Sequence, residues 1–559
     1  MRVQAAIGLA SALLLLAASA RATAAPTVPV PAAPTPTLAV TQPAVPAVTN
    51  ASALEKRLAA AVAHPDLVGA KLGITVRDAV TGALLFERGG ADPLAPASNM
   101  KLVTAGAVIE LLGPERQLST RFLADREPDM TGAIGNLYIV GGGDPSLSVE
   151  NLYGVARILA GLGVRRVSGI VVDDSYFAGT SRPGSWPQRN WSTWYGAPTS
   201  ALTVNSNLVA VNARASKVGA PISTWVDPFP TFFRVESQLK AGPGALRVRA
   251  TIVPDETGDT WQAMLLTGRV RPGRAQRVLV PVEDPALFAG HGMAESLQRV
   301  GVVVENEPVR GIAPPKAALL HRHVSRPLAL LVEDMNKESS NVHAETLLKV
   351  LGAEIGGVPG TREKGLEVLK AWLEHVSPAG CACHLEDGSG LSPLARLTSH
   401  MVSDVLLLMT RGSFASPEFL VSLPVGGVDG TLRRRFNESS ARRQVRAKTG
   451  RINNVAALSG LAHIGANREA VFSILLNDYR CPSWKAEDAI DRLVEAMVAD
   501  APPIAEPKVR IEMIPDELET QQEDADAPPV EGDSTASTAD SAPGEGENDG
   551  TRDEPTGGH

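Results

Sequence analysis

The stretch Pro96-Ala97-Ser98-Asn99-Met100-Lys101-Leu102-Val103-Thr104-Ala105-Gly106-Ala107-Val108-Ile109-Glu110-Leu111-Leu112-Gly113-Pro114 reads as one helix with a marked start and stop. Pro96 precedes it and Gly113-Pro114 ends it. After Lys101 it is apolar nearly all round, the pattern of a buried helix rather than a surface one. Ser98 and Lys101 are three residues apart, so a helix sets hydroxyl and amine on one face, about one turn from each other. Ser98 falls at the N-terminus, where free backbone N–H groups and the helix dipole favour developing negative charge. Plainer duties also suit these residues: a helix N-cap and a solvated lysine.

Two further motifs change that balance. Ser339-Ser340-Asn341 begins 241 positions after Ser98, and Lys448-Thr449-Gly450 follows. In this order the three motifs are the parts of serine acyl transfer with a lysine base. A serine hydroxyl attacks well only when a neighbour takes its proton. Lys101 can do so only if neutral near pH 7, a drop of about three units from about 10.4, or roughly 4 kcal/mol. Burial and a second cation push that way, and Lys448 is the obvious cation. Ser339-Ser340-Asn341 lies between helical stretches 327–336 and 341–351 and also fits a simple helix-breaking turn, the reading kept for Ser340. Lys448-Thr449-Gly450 sits in a strand-like run from Gln444, where Gly450 would let a substrate backbone approach the strand edge.

With its flanking runs the chain resembles the low-molecular-mass class C penicillin-binding proteins, the D-alanyl-D-alanine carboxypeptidase/endopeptidases. The matching runs are 137–147, 195–202 with Asn205 and Asn207, Asp387-Gly388-Ser389-Gly390-Leu391-Ser392, and 423–432. The likeness covers about 54–498, and its most specific element is the long gap before Ser339. It implies Ser98 as acylated nucleophile and Lys101 as base. It implies Ser339 and Asn341 for proton transfer and substrate positioning, with Lys448, Thr449 and Gly450 at the substrate's terminal carboxylate. In such proteins an inserted-domain aspartate meets the amine of a diaminopimelate side chain; the run 171–177 makes Asp173 the candidate, with Phe177 beside it. Relatives often carry an arginine directly after Gly-Ser-Gly-Leu-Ser, where it can pair with a diaminopimelate carboxylate. Here that position is Pro393, and Arg396 is the nearest substitute.

The ends of the chain differ in kind from its middle. Residues 1–24 have a basic start, an apolar run and Ala22-Thr23-Ala24, the features of a secretory signal peptide. No later stretch is long and apolar enough to span a membrane, so a periplasmic or secreted location is expected. Residues 25–52 are a Pro/Ala-rich linker. Of 61 acidic and 53 basic residues, 501–559 hold 16 and 3. The net charge of −8 therefore belongs to this tail, which lacks aromatics and is expected to be disordered. The body is mildly basic, with nothing that invokes nucleic acid. Three cysteines allow one bridge: pairing to the distant Cys481 is open, and Cys381 with Cys383 would be strained. The run Cys381-Ala382-Cys383-His384 lacks metal-site spacing, and neither metal nor cofactor is expected.

Strand patterns at 72–78, 84–88, 456–463 and 470–476 must join one sheet, closed by an amphipathic helix at 484–498. The expected fold class is α+β: a penicillin-binding/serine β-lactamase-like catalytic domain, with helices on an antiparallel sheet. Parts 53–120 and 313–500 would form it, split by a mainly β insertion of one or two small domains, 121–312. The resulting expectation is a serine-type D-Ala-D-Ala carboxypeptidase and endopeptidase acting on peptidoglycan stem peptides, with β-lactams as covalent inhibitors. A serine β-lactamase or a catalytically silent wall-binding scaffold are the alternatives.

Overall fold

The computed structural model describes residues 51–254, 260–378 and 383–504. The signal peptide, nearly all of the linker, Cys381 and the tail beyond 504 lie outside the described residues.

Two stretches nearly 400 positions apart close one five-stranded antiparallel sheet. Its order is Val445–Ile452, Val455–Gly465, Arg468–Asn477, Lys71–Asp78, Leu84–Arg88. Alternation along the central strands explains why both faces are covered. Ala456, Leu458, Phe472 and Ile474 point to a core shared with helices Ala51–Val62 and Ser483–Val498. Leu461 and Val471 join the core on the other side, formed by helices Met100–Leu112, Leu328–Lys337, Asn341–Gly356, Arg362–Val376 and Ser399–Arg411. The helix Met100–Leu112 is buried through its first ten residues, as its all-round apolar pattern requires. Helices Arg362–Val376 and Ser399–Arg411 went unread in the sequence, although Thr361 and Thr398 cap them in the ordinary way.

The intervening chain leaves on strand Gln117–Ala124 and returns on its antiparallel neighbour Ala318–Pro327, where Arg121 faces Arg322. Ala133–Val140 and Arg166–Asp173 pair in parallel, joined through helix Val149–Gly161. The sheet is therefore mixed. Smaller sheets of the intervening chain contain strands Leu246–Pro254 and Gln276–Pro281. A helix at Pro285–Arg299, not anticipated, packs into the same apolar core through Phe288 and Met293. The fold class is the expected α+β. Cys383 is disulfide-bonded and Cys481 is a free thiol, its Sγ 3.6 Å from the Asp66 carbonyl oxygen. The bridge open to Cys481 is thus not formed.

Candidate active site

Ser98 stands on a single 3-10 turn, Ala97–Asn99, and the α-helix begins at Met100, two residues later than its pattern suggests. Ala97 holds φ at 46°, unusual for a residue with a Cβ. That turn is clamped. Asn99 donates to Ser459 Oγ at 2.6 Å, which lies 2.9 Å from Ser473 Oγ on the next strand. Gly390, at φ 75°, passes so close that an added Cβ would sit 1.8 Å from the Ala97 carbonyl oxygen. Gly450 likewise faces the Pro96 carbonyl, at 3.0 Å from where a Cβ would stand. Its missing side chain makes room for the nucleophile's own turn.

Lys101 is wholly buried. Its Nζ lies 3.1 Å from Ser98 Oγ, 2.6 Å from Asn341 Oδ1 and 2.8 Å from the Ser389 carbonyl oxygen. The last two groups only accept. A neutral amine has two N–H bonds and one lone pair, so the two carbonyls take the donors and the lone pair is left for the Ser98 hydroxyl. Burial lowers the Lys101 pKa to about 7, against the opposing pull of Asp387 and Glu345. Burial is thus the cause, and the charge of Lys448 is not. The repulsion between the two amines falls on Lys448, which burial and Lys101 together hold well below the ordinary lysine value.

Lys448 Nζ donates to Ser339 Oγ at 2.8 Å and to the Thr449 carbonyl oxygen at 2.8 Å. Thr449 Oγ1 is 2.8 Å from Thr431 Oγ1. Ser339 has φ of 56°, and Ser340 caps the following helix by accepting from the His343 N–H. All three motifs meet at one cleft of about 740 Å³, lined among others by Ser98, Ser339, Asn341, Thr449 and Gly450.

The candidates for side-chain recognition do not reach it. Asp173 is buried, accepting from the Ser175 N–H at 3.0 Å and the Ala313 N–H at 2.8 Å, so its carboxylate organises a turn. Phe177 is packed in the helical core, with Lys349 Nζ 5.6 Å from its ring centre. Arg396 spends its guanidinium on the carbonyl oxygens of Pro393 and Ala395. None of the three lines the cleft.

The sequence reading overlooked two residues that hold the site. Glu345 accepts from the N–H groups of Gly388 at 3.0 Å and Ser389 at 2.9 Å, and so fixes the carbonyl that binds Lys101. Burial, then the charge of Asp387, raises its pKa to about 7. An acid inside the helical stretch 341–351, flanked by Val342, Ala344 and Leu347, was the available signal. Tyr195 receives Asn341 Nδ2 on its carbonyl oxygen at 2.8 Å, a backbone contact that no pattern announces.

The fold is that of a penicillin-binding serine carboxypeptidase. A crystal structure of penicillin binding protein 4 (dacB) from Haemophilus influenzae superposes with a TM-score of 0.67 at 21% identity, covering 78% of this chain and 97% of that one. The family described as D-Ala-D-Ala carboxypeptidase 3 (S13) matches residues 54–497, and the chain belongs to that family. It is 35% identical to a D-alanyl-D-alanine carboxypeptidase of an Actinomadura species over 80% of this chain and 86% of that protein. A second relative, D-alanyl-D-alanine carboxypeptidase DacB of Haemophilus influenzae, is 23% identical over 74% of this chain and 86% of its own length. The chain's activity is accordingly that of a serine D-alanyl-D-alanine carboxypeptidase, a hydrolase.

Proposed function

We propose that Ser98 is the acylated nucleophile and that Lys101 takes its proton as the Oγ–carbon bond forms at the penultimate D-alanine carbonyl. The observation that carries this is the Lys101 amine 3.1 Å from Ser98 Oγ, its other two partners being acceptors only. Ser339, with φ in the left-handed region, passes a proton to the leaving D-alanine amine, and Lys448 and Thr449 hold its carboxylate. Strand Val445–Ile452 is the edge of the sheet, so an extended stem peptide can lie along its cleft end. Backbone donors, the Ser98 N–H among them, stabilise the oxyanion at about 3–4 kcal/mol each. Water then attacks the ester, and Ser98 leaves with its proton restored.

The substrates on this reading are peptidoglycan stem peptides, with cross-link cleavage as a second activity and β-lactams as covalent inhibitors. A solved relative, again penicillin binding protein 4 from Haemophilus influenzae, is described in complex with a β-lactam. We take 121–312 as an insertion into a catalytic unit made of 53–120 and 313–500, supported by the adjacent exit and return strands. No helix among the described residues is long and apolar enough to cross a membrane, and export through the signal peptide brings the enzyme to its substrate.

Labelling with a fluorescent penicillin tests the assignment. Native protein is expected to retain label and Ser98→Ala to take none. Rapid loss of label would indicate a β-lactamase, and absence of label a silent scaffold. Digestion of purified muropeptides then separates carboxypeptidase from endopeptidase action.

A further inference from the structure

One wall of the cleft comes from residues 187–195 of the intervening chain, and this wall is anchored at both ends. Trp186 Nε1 donates to the Asp387 carboxylate at 2.8 Å, and the Tyr195 carbonyl receives Asn341. Between the anchors, Pro187 starts a tight turn over Gln188–Asn190. The turn is closed behind by Gly196, where an added Cβ would stand 1.9 Å from the Asn190 carbonyl oxygen. Buried Arg182 braces it further, donating to the Gly196 carbonyl at 2.7 Å and pairing with Glu283 at 2.7 Å. The wall is therefore a fixed platform, and it presents Arg189 to the cleft.

The charge of that guanidinium is uncompensated. The cleft has two other arginines, and both are neutralised: Arg435 by Asp491 in a two-oxygen pair, Arg451 by Glu487 at 3.1 Å. Arg189 has no hydrogen-bond or ion-pair partner among the described residues. Glu487 is the sole acid among the residues lining the cleft, and Arg451 occupies it. A free amine on a substrate side chain would find no open carboxylate here, and it would meet a like charge. A carboxylate would find a planar, permanently charged donor.

We infer that Arg189, and not Arg396, is the specificity-determining residue that selects a carboxylate on the side chain of the residue preceding D-Ala-D-Ala, and that with no open acid beside it the site disfavours an amine there. This rests on the carboxypeptidase reading above. Exposed Trp194, which lines the same wall edge-on to Tyr195, supplies an apolar surface for the methylene part of that side chain.

The test uses acetylated tripeptides X-D-Ala-D-Ala that differ only at X, with D-alanine release as the readout. Native enzyme is expected to rank glutamyl above glutaminyl above lysyl, with about fivefold in kcat/KM between the extremes, as for a partly solvated ion pair. Arg189→Glu is expected to invert the order. In the native enzyme the preference should shrink as salt rises from about 50 to about 500 mM, because the pair is open to solvent. A native preference for lysyl, or an unchanged order in Arg189→Glu protein that still takes up penicillin, overturns the proposal. Native protein that neither binds penicillin nor releases D-alanine from any of the peptides would instead defeat the carboxypeptidase reading itself, and the proposal with it.

Discussion

Asn341 donates its side-chain amide to the Tyr195 carbonyl oxygen at 2.8 Å while its own oxygen accepts from Lys101 at 2.6 Å. One side chain thus ties the Lys101 amine to the cleft wall that the intervening chain supplies. It also fixes the amide's orientation, since the oxygen must face the lysine and the nitrogen the carbonyl. Replacement by Asp removes the donor and sets a charge beside Lys101. Opposite charge favours the ammonium form, so the pKa of Lys101 should rise above about 7. Penicillin acylation by Asn341→Asp should consequently be slower at pH 7 and recover in more alkaline buffer, as stopped-flow acylation across pH would show.

The native pH dependence has a definite sign. Lys101 is a base only when neutral, and its pKa stands at about 7. The acylation rate should rise as pH passes through about 7 and level off above it. A rate that falls over the same interval would contradict the assignment of Lys101. Stability should move in the same direction: the unfolded chain holds a proton on this lysine up to about 10.4, so between about 7 and 10 it binds more protons than the folded protein. Lys101 therefore contributes an increase in stability with rising pH across that window.

Removing Lys101, the proposed base, should be severe. Lys101→Met keeps most of the volume and loses the proton acceptor. General-base loss costs about 10²–10⁴-fold, so acylation should fall by that order while the fold persists. The comparison of acylation rates with thermal unfolding of the same variant checks it.

Glu345 offers the opposite handle to Asn341→Asp. Its carboxyl raises the Lys101 pKa through space and accepts the N–H groups of Gly388 and Ser389. Gln at this position retains an acceptor and removes the charge, so the rise of the acylation profile should move to lower pH. Ala leaves two buried donors unmade, at about 1–3 kcal/mol each, and should lower the unfolding midpoint by several degrees. The two variants separate charge from scaffolding.

Gly390→Ala should be the most damaging glycine change in the site. Its φ of 75° disfavours a Cβ, and that atom would fall 1.8 Å from the Ala97 carbonyl oxygen. Neither backbone can give way without moving Ser98. Loss of penicillin labelling together with a lowered unfolding midpoint is the expected result, and retention of both would show that the turn yields.

The strands of the five-stranded sheet, the buried helix and the three motifs were legible as local patterns of period two, period 3.6 or fixed spacing, whereas strands 117–124, 133–140 and 166–173 were not. Met100–Leu112 is buried because almost nothing on its surface is polar. Which residues line the cleft beside the three motifs depends on tertiary packing. Asp173 satisfies backbone donors in a turn, while Arg189 stands on a platform held by Trp186 and Tyr195. The same holds for the pKa of Lys101, which burial lowers against the pull of Asp387 and Glu345. Solvent exclusion and hydrogen-bond closure depend on residues hundreds of positions apart, and no local pattern carries them.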